Sequence, residues 1–333
     1  MGSLLAALTS FALAAVFVRV LVSNSVFGTI IDIPNERSSH SVPVPRTGGL
    51  GLMAAAAVTW VLFSPGSYAE TVVAAGLLSA VSFLDDARGL SVRARLLVQG
   101  SVAALFLALA YQGPWFLLLP ALLAIIWMIN LYNFMDGSDG LAGGMSIAGF
   151  GTYAVAAYGG GLMELSALAA ALTGAAAGFL IWNFHKARIF MGDSGSVPLG
   201  FLAAALGLLG WQEGVWPMWF PVLVFSPFIA DASVTLVKRY LRGERLSQAH
   251  RSHYYQRVLR MGLGHRGTAL AAYVLMFATA GSALAARAWP DAAVVLLLAT
   301  WAAIYGAGMW LIDQRWAAFE RSQQAPPPEH VSA

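Results

Sequence analysis

The chain contains no cysteine, and only 11% of its 333 residues are charged. The first absence excludes a secreted scaffold held by disulfides. The second excludes an ordinary soluble domain, in which about a quarter of residues carry charge, and with it a soluble nuclease or Rossmann dehydrogenase. What fills the space is apolar, since 59% of the sequence is hydrophobic. At about 20 apolar residues per bilayer crossing, eleven crossings use roughly 220 residues and leave roughly 110 for connections and tail. That remainder holds no sizeable extramembrane domain. The formal net charge of +3 therefore reads as lysine and arginine sorted to one membrane face, with no nucleic-acid partner.

Apolar windows bounded by polar, glycine or proline punctuation fall at 3–22, 48–64, 68–84, 96–112, 114–132, 141–158, 163–183, 197–212, 216–236, 267–286 and 290–311. They predict an all-α, polytopic membrane bundle of about eleven transmembrane helices, one domain over 1–321. Residues 322–333, with Pro326–Pro328 and no apolar periodicity, read as a disordered tail. No lysine or arginine precedes Arg19, so the first window lacks the basic start of a signal peptide and reads as a retained helix with its N-terminus outside. An odd number of crossings puts the C-terminus inside. Seventeen of the 19 basic residues then fall on the inner side and Arg287 alone outside, as the positive-inside rule requires.

Five inner segments hold nearly all the carboxylates, amides and histidines. Asp85 and Asp86 end the third window. Adjacent helical positions diverge by about 100°, so one carboxylate can face a metal and the other a second reactant; a solvated helix end balanced by Arg88 is the plain alternative. Asn130, Asn133, Asp136 and Asp139, spaced by three and interleaved with Gly137 and Gly140, offer oxygen donors of the kind Mg²⁺ takes with phosphates. They equally make a polar turn. Between the seventh and eighth windows lie Asn183, Phe190 and the run Met191-Gly192-Asp193-Ser194. Here Asp193 either caps the next helix or holds a phosphate-bound cation beside an aromatic ring that stacks on a base. The segment Lys238–Arg266 carries eight basic residues against Glu244, with His250, His253 and His265; it can rest on lipid headgroups or fork pyrophosphate. Asp231, inside the ninth window, is costly facing lipid and should face the bundle interior.

In order, Pro43-Val-Pro45-Arg46-Thr-Gly48-Gly49, Asp85-Asp86, Asn130-x2-Asn133-x2-Asp136-Gly-x-Asp139-Gly-Leu141, Asn183…Phe190-Met-Gly-Asp193-Ser-Gly-Ser196 and His253…Arg257 resemble the polyprenyl-phosphate N-acetylhexosamine-1-phosphate transferases of glycosyltransferase family 4, relatives of the phospho-MurNAc-pentapeptide translocase. Each motif is weak; five in order at inner helix ends are specific. The eleven-helix pattern resembles the O-antigen-initiating branch. The resemblance implies transfer of a sugar 1-phosphate from a UDP-N-acetylhexosamine to undecaprenyl phosphate at the cytoplasmic face of a bacterial inner membrane. The N-terminus would be periplasmic and the C-terminus cytoplasmic, and a homodimer is left open. It implies Mg²⁺, with Mn²⁺ as a substitute, held by Asp193 with Asn133 as a second contact. It assigns Asp85, supported by Asp86, to the acceptor phosphate, Phe190 to stacking on uracil and Asp139 to its edge. Asn183 and Asp136, with Gly137 beside them, would shape the pocket, Arg93 or Arg95 would hold the lipid phosphate, and Arg46, His253 and Arg257 belong to the shared motifs. His253 stands where many relatives carry a run of histidines, and Lys186 where they often carry proline.

A secondary transporter is the rival from another class, but transporter sites lie at mid-membrane, whereas these acids sit at inner helix ends. A CDP-alcohol phosphotransferase would need a later Asp-x3-Asp that is missing here.

Overall fold

The computed structural model describes residues 1–23, 31–32, 43–245, 248 and 250–324. Arg37, His40 and the end of the tail lie outside them. Each apolar window carries helix: α1 (Gly2–Ser23), α2 (Gly48–Phe63), α3 (Ala69–Arg88), α4 (Val92–Ala110), α5 (Leu118–Phe134), α6 (Leu141–Gly159), α7 (Met163–Asn183), α8 (Asp193–Gln212), α9 (Trp219–Val224) with α10 (Ser226–Leu241), α12 (Gly264–Ala286) and α13 (Asp291–Gln324). A short helix, α11 (Tyr254–Val258), lies in the basic segment, and strands β1 (Ile31–Asp32) and β2 (Val44–Pro45) pair antiparallel. Among the described residues, seven helical stretches are long and apolar enough to cross a membrane, while Gly48–Phe63 is apolar but shorter. The protein is a multi-pass, helical membrane protein.

Two expectations are revised. The ninth window is broken at Phe225, because Pro227 has no N–H to give Leu223; the Ser226 hydroxyl donates to the Leu223 carbonyl at 2.7 Å instead. The last helix continues to Gln324, past Arg321, since Ala317, Glu320, Gln323 and Gln324 are good helix formers. At about 1.5 Å per residue its 34 residues span roughly 51 Å, well beyond a hydrocarbon core of about 30 Å.

Within lipid, helices associate through close packing of small residues. A Cβ on Gly174 would lie 2.0 Å from the Ala7 carbonyl oxygen and one on Gly178 2.4 Å from that of Phe11, so α1 lies parallel against α7 backbone to backbone. Trp182 Nε1 donates to Ala15 O at 3.0 Å one turn further along. Helix α8 is the centre of the bundle: 83% of its apolar window is buried, against 11% for α13. The C-terminal ends of α3, α5 and α7 thereby meet the N-terminal ends of α2, α4, α6 and α8, and the polar motifs collect at that one end.

Candidate active site

The site is built on glycines that let loops touch. Phe190 N donates to Pro45 O at 2.8 Å, Gly48 N to Phe190 O at 2.9 Å and Gly49 N to Met191 O at 2.9 Å, lacing the first motif to the fourth. A Cβ on Gly49 would stand 2.4 Å from Gly195 Cα. Gly192 has φ +71°, and a Cβ there would lie 2.2 Å from Arg46 O and 3.0 Å from Asp86 Oδ2. This residue must be glycine both for its left-handed backbone and for lack of room.

Gly192 rather than Asp193 occupies the cap position of α8. Asp193 is the first helical residue, where a carboxylate suits the positive end of the macrodipole, and its side chain faces outward to other elements. Arg46 Nη2 lies 3.9 Å from Asp193 Oδ1 and 3.9 Å from Asp86 Oδ1, while Arg95 Nη1 lies 3.6 Å from Asp193 Oδ2 and Arg95 Nε 3.5 Å from Asp85 Oδ2. Each arginine thus bridges Asp193 to one member of the Asp85-Asp86 pair. The pair splits in this way because consecutive helical residues diverge: Asp86 turns to the α8 N-terminus, its Oδ2 3.4 Å from Ser194 N, and Asp85 turns to α4. Helix α3 stops just beyond, at Gly89 with φ 69°, whose N–H donates to Asp85 O at 2.7 Å. A cavity of about 20 Å³, room for one water, lies between Ser82, Asp85, Arg95, Gln99 and Asp193.

From α5, Asn133 approaches the Asp193 side chain, and Asp136 in the following turn feels Asp193, Arg46 and Asp86. Four carboxylates, Asp85, Asp86, Asp136 and Asp193, therefore face two guanidinium groups. Asp86 sits beyond the apolar window of its helix, and burial, then the charge of Asp193, pushes it up to about 7. Burial and Asp193 likewise hold Asp136 well above the ordinary carboxylate range. A divalent cation would remove this excess of negative charge. Among the described residues no three Asp, Glu, His or Cys side chains are placed to hold a metal ion together.

The remaining expected residues fall into other settings. Asn183 is buried and pins two loops, its Oδ1 accepting from Gly140 N and its Nδ2 donating to Ile189 O, both at 2.9 Å. The half-buried Phe190 is fixed through its backbone. Both Asp139 oxygens meet protein groups: His185 Nδ1 and Ala187 N lie 3.2 Å from Oδ2, and His265 Nδ1 3.5 Å from Oδ1. Arg93 is exposed on the first turn of α4, whereas Arg95 reaches the carboxylates. His253 and Arg257 lie in a neighbouring cluster. His253 is buried with Nδ1 3.3 Å from Asp231 Oδ1, and Arg257 Nη1 is 2.8 Å from Asp313 Oδ1, its guanidinium over the Tyr254 and Trp316 rings. Asp313 also receives Lys238 Nζ at 2.5 Å and the Tyr254 hydroxyl at 3.2 Å. Sequence reasoning missed Asp313; its signal is an acid in a long apolar helix.

The fold and site define a helical membrane protein with paired carboxylates, two bridging arginines and a polar turn at one bundle end. Residues 68–210 match the model of glycosyl transferase family 4. Over 315 residues, 87% of each chain, this one is 30% identical to a Bacillus subtilis strain 168 protein described as a probable undecaprenyl-phosphate N-acetylglucosaminyl 1-phosphate transferase. It is 28% identical to the undecaprenyl-phosphate alpha-N-acetylglucosaminyl 1-phosphate transferase of Yersinia pestis, over 77% of this chain and 76% of that one. Over 43% of this chain and 44% of the other it is 36% identical to the phospho-N-acetylmuramoyl-pentapeptide-transferase of Shouchella clausii. The chain belongs to glycosyl transferase family 4.

Proposed function

We propose that this enzyme transfers an N-acetylhexosamine 1-phosphate from a UDP-sugar to undecaprenyl phosphate at the cytoplasmic face of a bacterial inner membrane, releasing UMP, and so starts an O-antigen or another cell-envelope polysaccharide. The observation that carries the reading is the double bridge of Arg46 and Arg95 from Asp193 to Asp86 and Asp85. It brings cationic forks and carboxylates to the same few ångströms, as the meeting of two anionic phosphates requires. The sorting of basic residues supports a cytoplasmic site, and the names of the relatives support the substrates.

In the reaction an oxygen of the acceptor phosphate attacks the sugar-linked phosphorus of the donor. A new P–O bond forms, the bond to the bridging pyrophosphate oxygen breaks, and UMP leaves with that oxygen. Asp193 and Asn133 would hold Mg²⁺, with Mn²⁺ able to replace it; the ion would offset phosphate charge and orient the pyrophosphate. Arg95, beside Asp85, receives the acceptor phosphate, and its planar fork suits two oxygens at once. A phosphate monoester has its second pKa near 6, so at neutral pH the acceptor is largely ionised and Asp85 orients it rather than deprotonating it. Arg46 stabilises the donor pyrophosphate from the other side, and Phe190 stacks on the base. In-line placement and charge neutralisation supply most of the rate in such transfers. Purified protein given undecaprenyl phosphate, Mg²⁺ and a panel of radiolabelled UDP-sugars should yield UMP and a lipid-linked product; no product across the panel would overturn the reading.

A further inference from the structure

Asp231 is a buried carboxylate of α10 that the phosphate cluster does not use. Its Oδ1 accepts from Tyr254 N at 2.9 Å and its Oδ2 from Tyr255 N at 2.9 Å, and the Thr235 hydroxyl lies 3.2 Å from Oδ1. With His253 Nδ1 at 3.3 Å, four donors converge on one side chain. A carboxylate from one helix thus satisfies the orphan N–H groups that begin α11, and the position of Tyr255 follows from it.

Tyr255 carries that placement across to the turn after α5. Its hydroxyl donates to Phe134 O at 3.1 Å, one of the carbonyls that the end of α5 leaves without a helical partner. The same oxygen accepts from Gln256 Nε2 at 3.2 Å and stands beside Gly137. Gly137 fits this hydroxyl closely, since a Cβ there would stand 2.2 Å from Tyr255 Oη, 3.3 Å from Cζ and 3.6 Å from Gln256 Nε2. The Phe134 ring also stacks on His253, with centroids 6.0 Å apart and planes at 28°. Phe134 and Gly137 flank Asp136 and follow Asn133, the residue beside Asp193.

We propose that Tyr255, anchored by Asp231, is a positioning residue that sets the Asn133–Gly137 turn against Asp193, and that Gly137 is glycine to admit the Tyr255 hydroxyl. Its catalytic consequence rests on the transferase reading above; the placement of the turn does not. The chain of contacts runs from α10 through α11 to the Asn133–Gly137 turn, so the basic segment acts on the site through geometry as well as charge.

A double-mutant cycle tests this. Tyr255→Phe removes the oxygen and should raise the UDP-sugar KM and the Mg²⁺ needed for half-maximal rate about five- to tenfold, as loss of one or two hydrogen bonds implies, with the acceptor KM unchanged. Gly137→Ala should lower kcat further because its methyl group meets the hydroxyl. In the pair Gly137→Ala/Tyr255→Phe the obstructing oxygen is gone, so activity should return to within a few-fold of Tyr255→Phe alone. A double variant as weak as the product of the two single losses overturns the proposal. Hydrogen exchange over residues 134–139 gives a readout free of turnover. Tyr255→Phe and Asp231→Asn should each speed it about five- to tenfold, and unchanged exchange in both also overturns the proposal. Were the wild-type chain to transfer no sugar phosphate, the functional reading would fail while the exchange result still judged the positioning role.

Discussion

The Ser79 hydroxyl of α3 donates to the Ser194 carbonyl of α8 at 2.7 Å. In an uninterrupted helix that carbonyl would accept from residue 198, but Pro198 has no N–H to give. A side chain from the neighbouring helix therefore completes the first turn of the helix that presents Asp193. Ser79→Ala leaves a buried carbonyl unpaired at a cost of about 1–3 kcal/mol. The expected outcome is a lower melting midpoint in detergent together with reduced transfer; unchanged values of both would show that Ser194 O has another partner.

Asp193 stands where both arginine bridges meet. Asp193→Asn keeps the size of the side chain and removes the charge, and should lower turnover by roughly 10²-fold or more, the scale seen for loss of a preorganised charge partner, while the protein remains monodisperse on size exclusion. Activity within a few-fold of wild type would remove Asp193 from the proposed metal site.

Arg93 and Arg95 separate cleanly in the structure. Arg95→Ala should raise the KM for the acceptor strongly and Arg95→Lys should recover it only in part, because an ammonium cannot reproduce the fork. Arg93→Ala, on an exposed side chain, should change the kinetics by no more than a few-fold. Equal losses from both alanine variants would argue against the bridging role of Arg95.

Asp86 links the site to pH. Its pKa is raised to about 7 from an ordinary 3.8 by burial and by Asp193, so the folded chain binds this proton more tightly than the unfolded one. The Asp86 contribution to stability is fully present below about pH 4 and is lost as pH rises through about 7. A cation favours the ionised form, so the rise in melting midpoint caused by Mg²⁺ should be larger at about pH 8 than at about pH 6. Scanning fluorimetry at fixed Mg²⁺ reads this directly, and Asp86→Asn should flatten the difference.

Asp313 ties the last helix to the basic segment through Lys238, Arg257 and Tyr254. Asp313→Asn weakens two charge-assisted bonds, each worth about 1.5–3 kcal/mol where it is well formed, and should make the Lys238–Arg260 region more sensitive to limited proteolysis. Cleavage there at the wild-type rate would place the restraint elsewhere.

The sequence by itself determined the medium and most of the helices, and it marked the polar residues that gather at one end of the bundle. Scarce charge and repeated apolar windows admit few folds, because in lipid the backbone must satisfy its own hydrogen bonds. The motif residues Asp85, Asp86, Asn133, Asp136 and Asp193 were legible because acids and amides rarely stand beside such windows without a use. Tertiary structure decided which of these groups meet. Arg95 rather than Arg93 faces Asp85, Arg46 serves two carboxylates, Asp139 is engaged by His185 and His265, and Arg257 turns to Asp313. Those choices depend on helix rotation and on contacts between residues far apart in the chain. Local spacing fixes directions only within one helix, and the close approaches at Gly49, Gly137 and Gly192 exist only once the helices have packed.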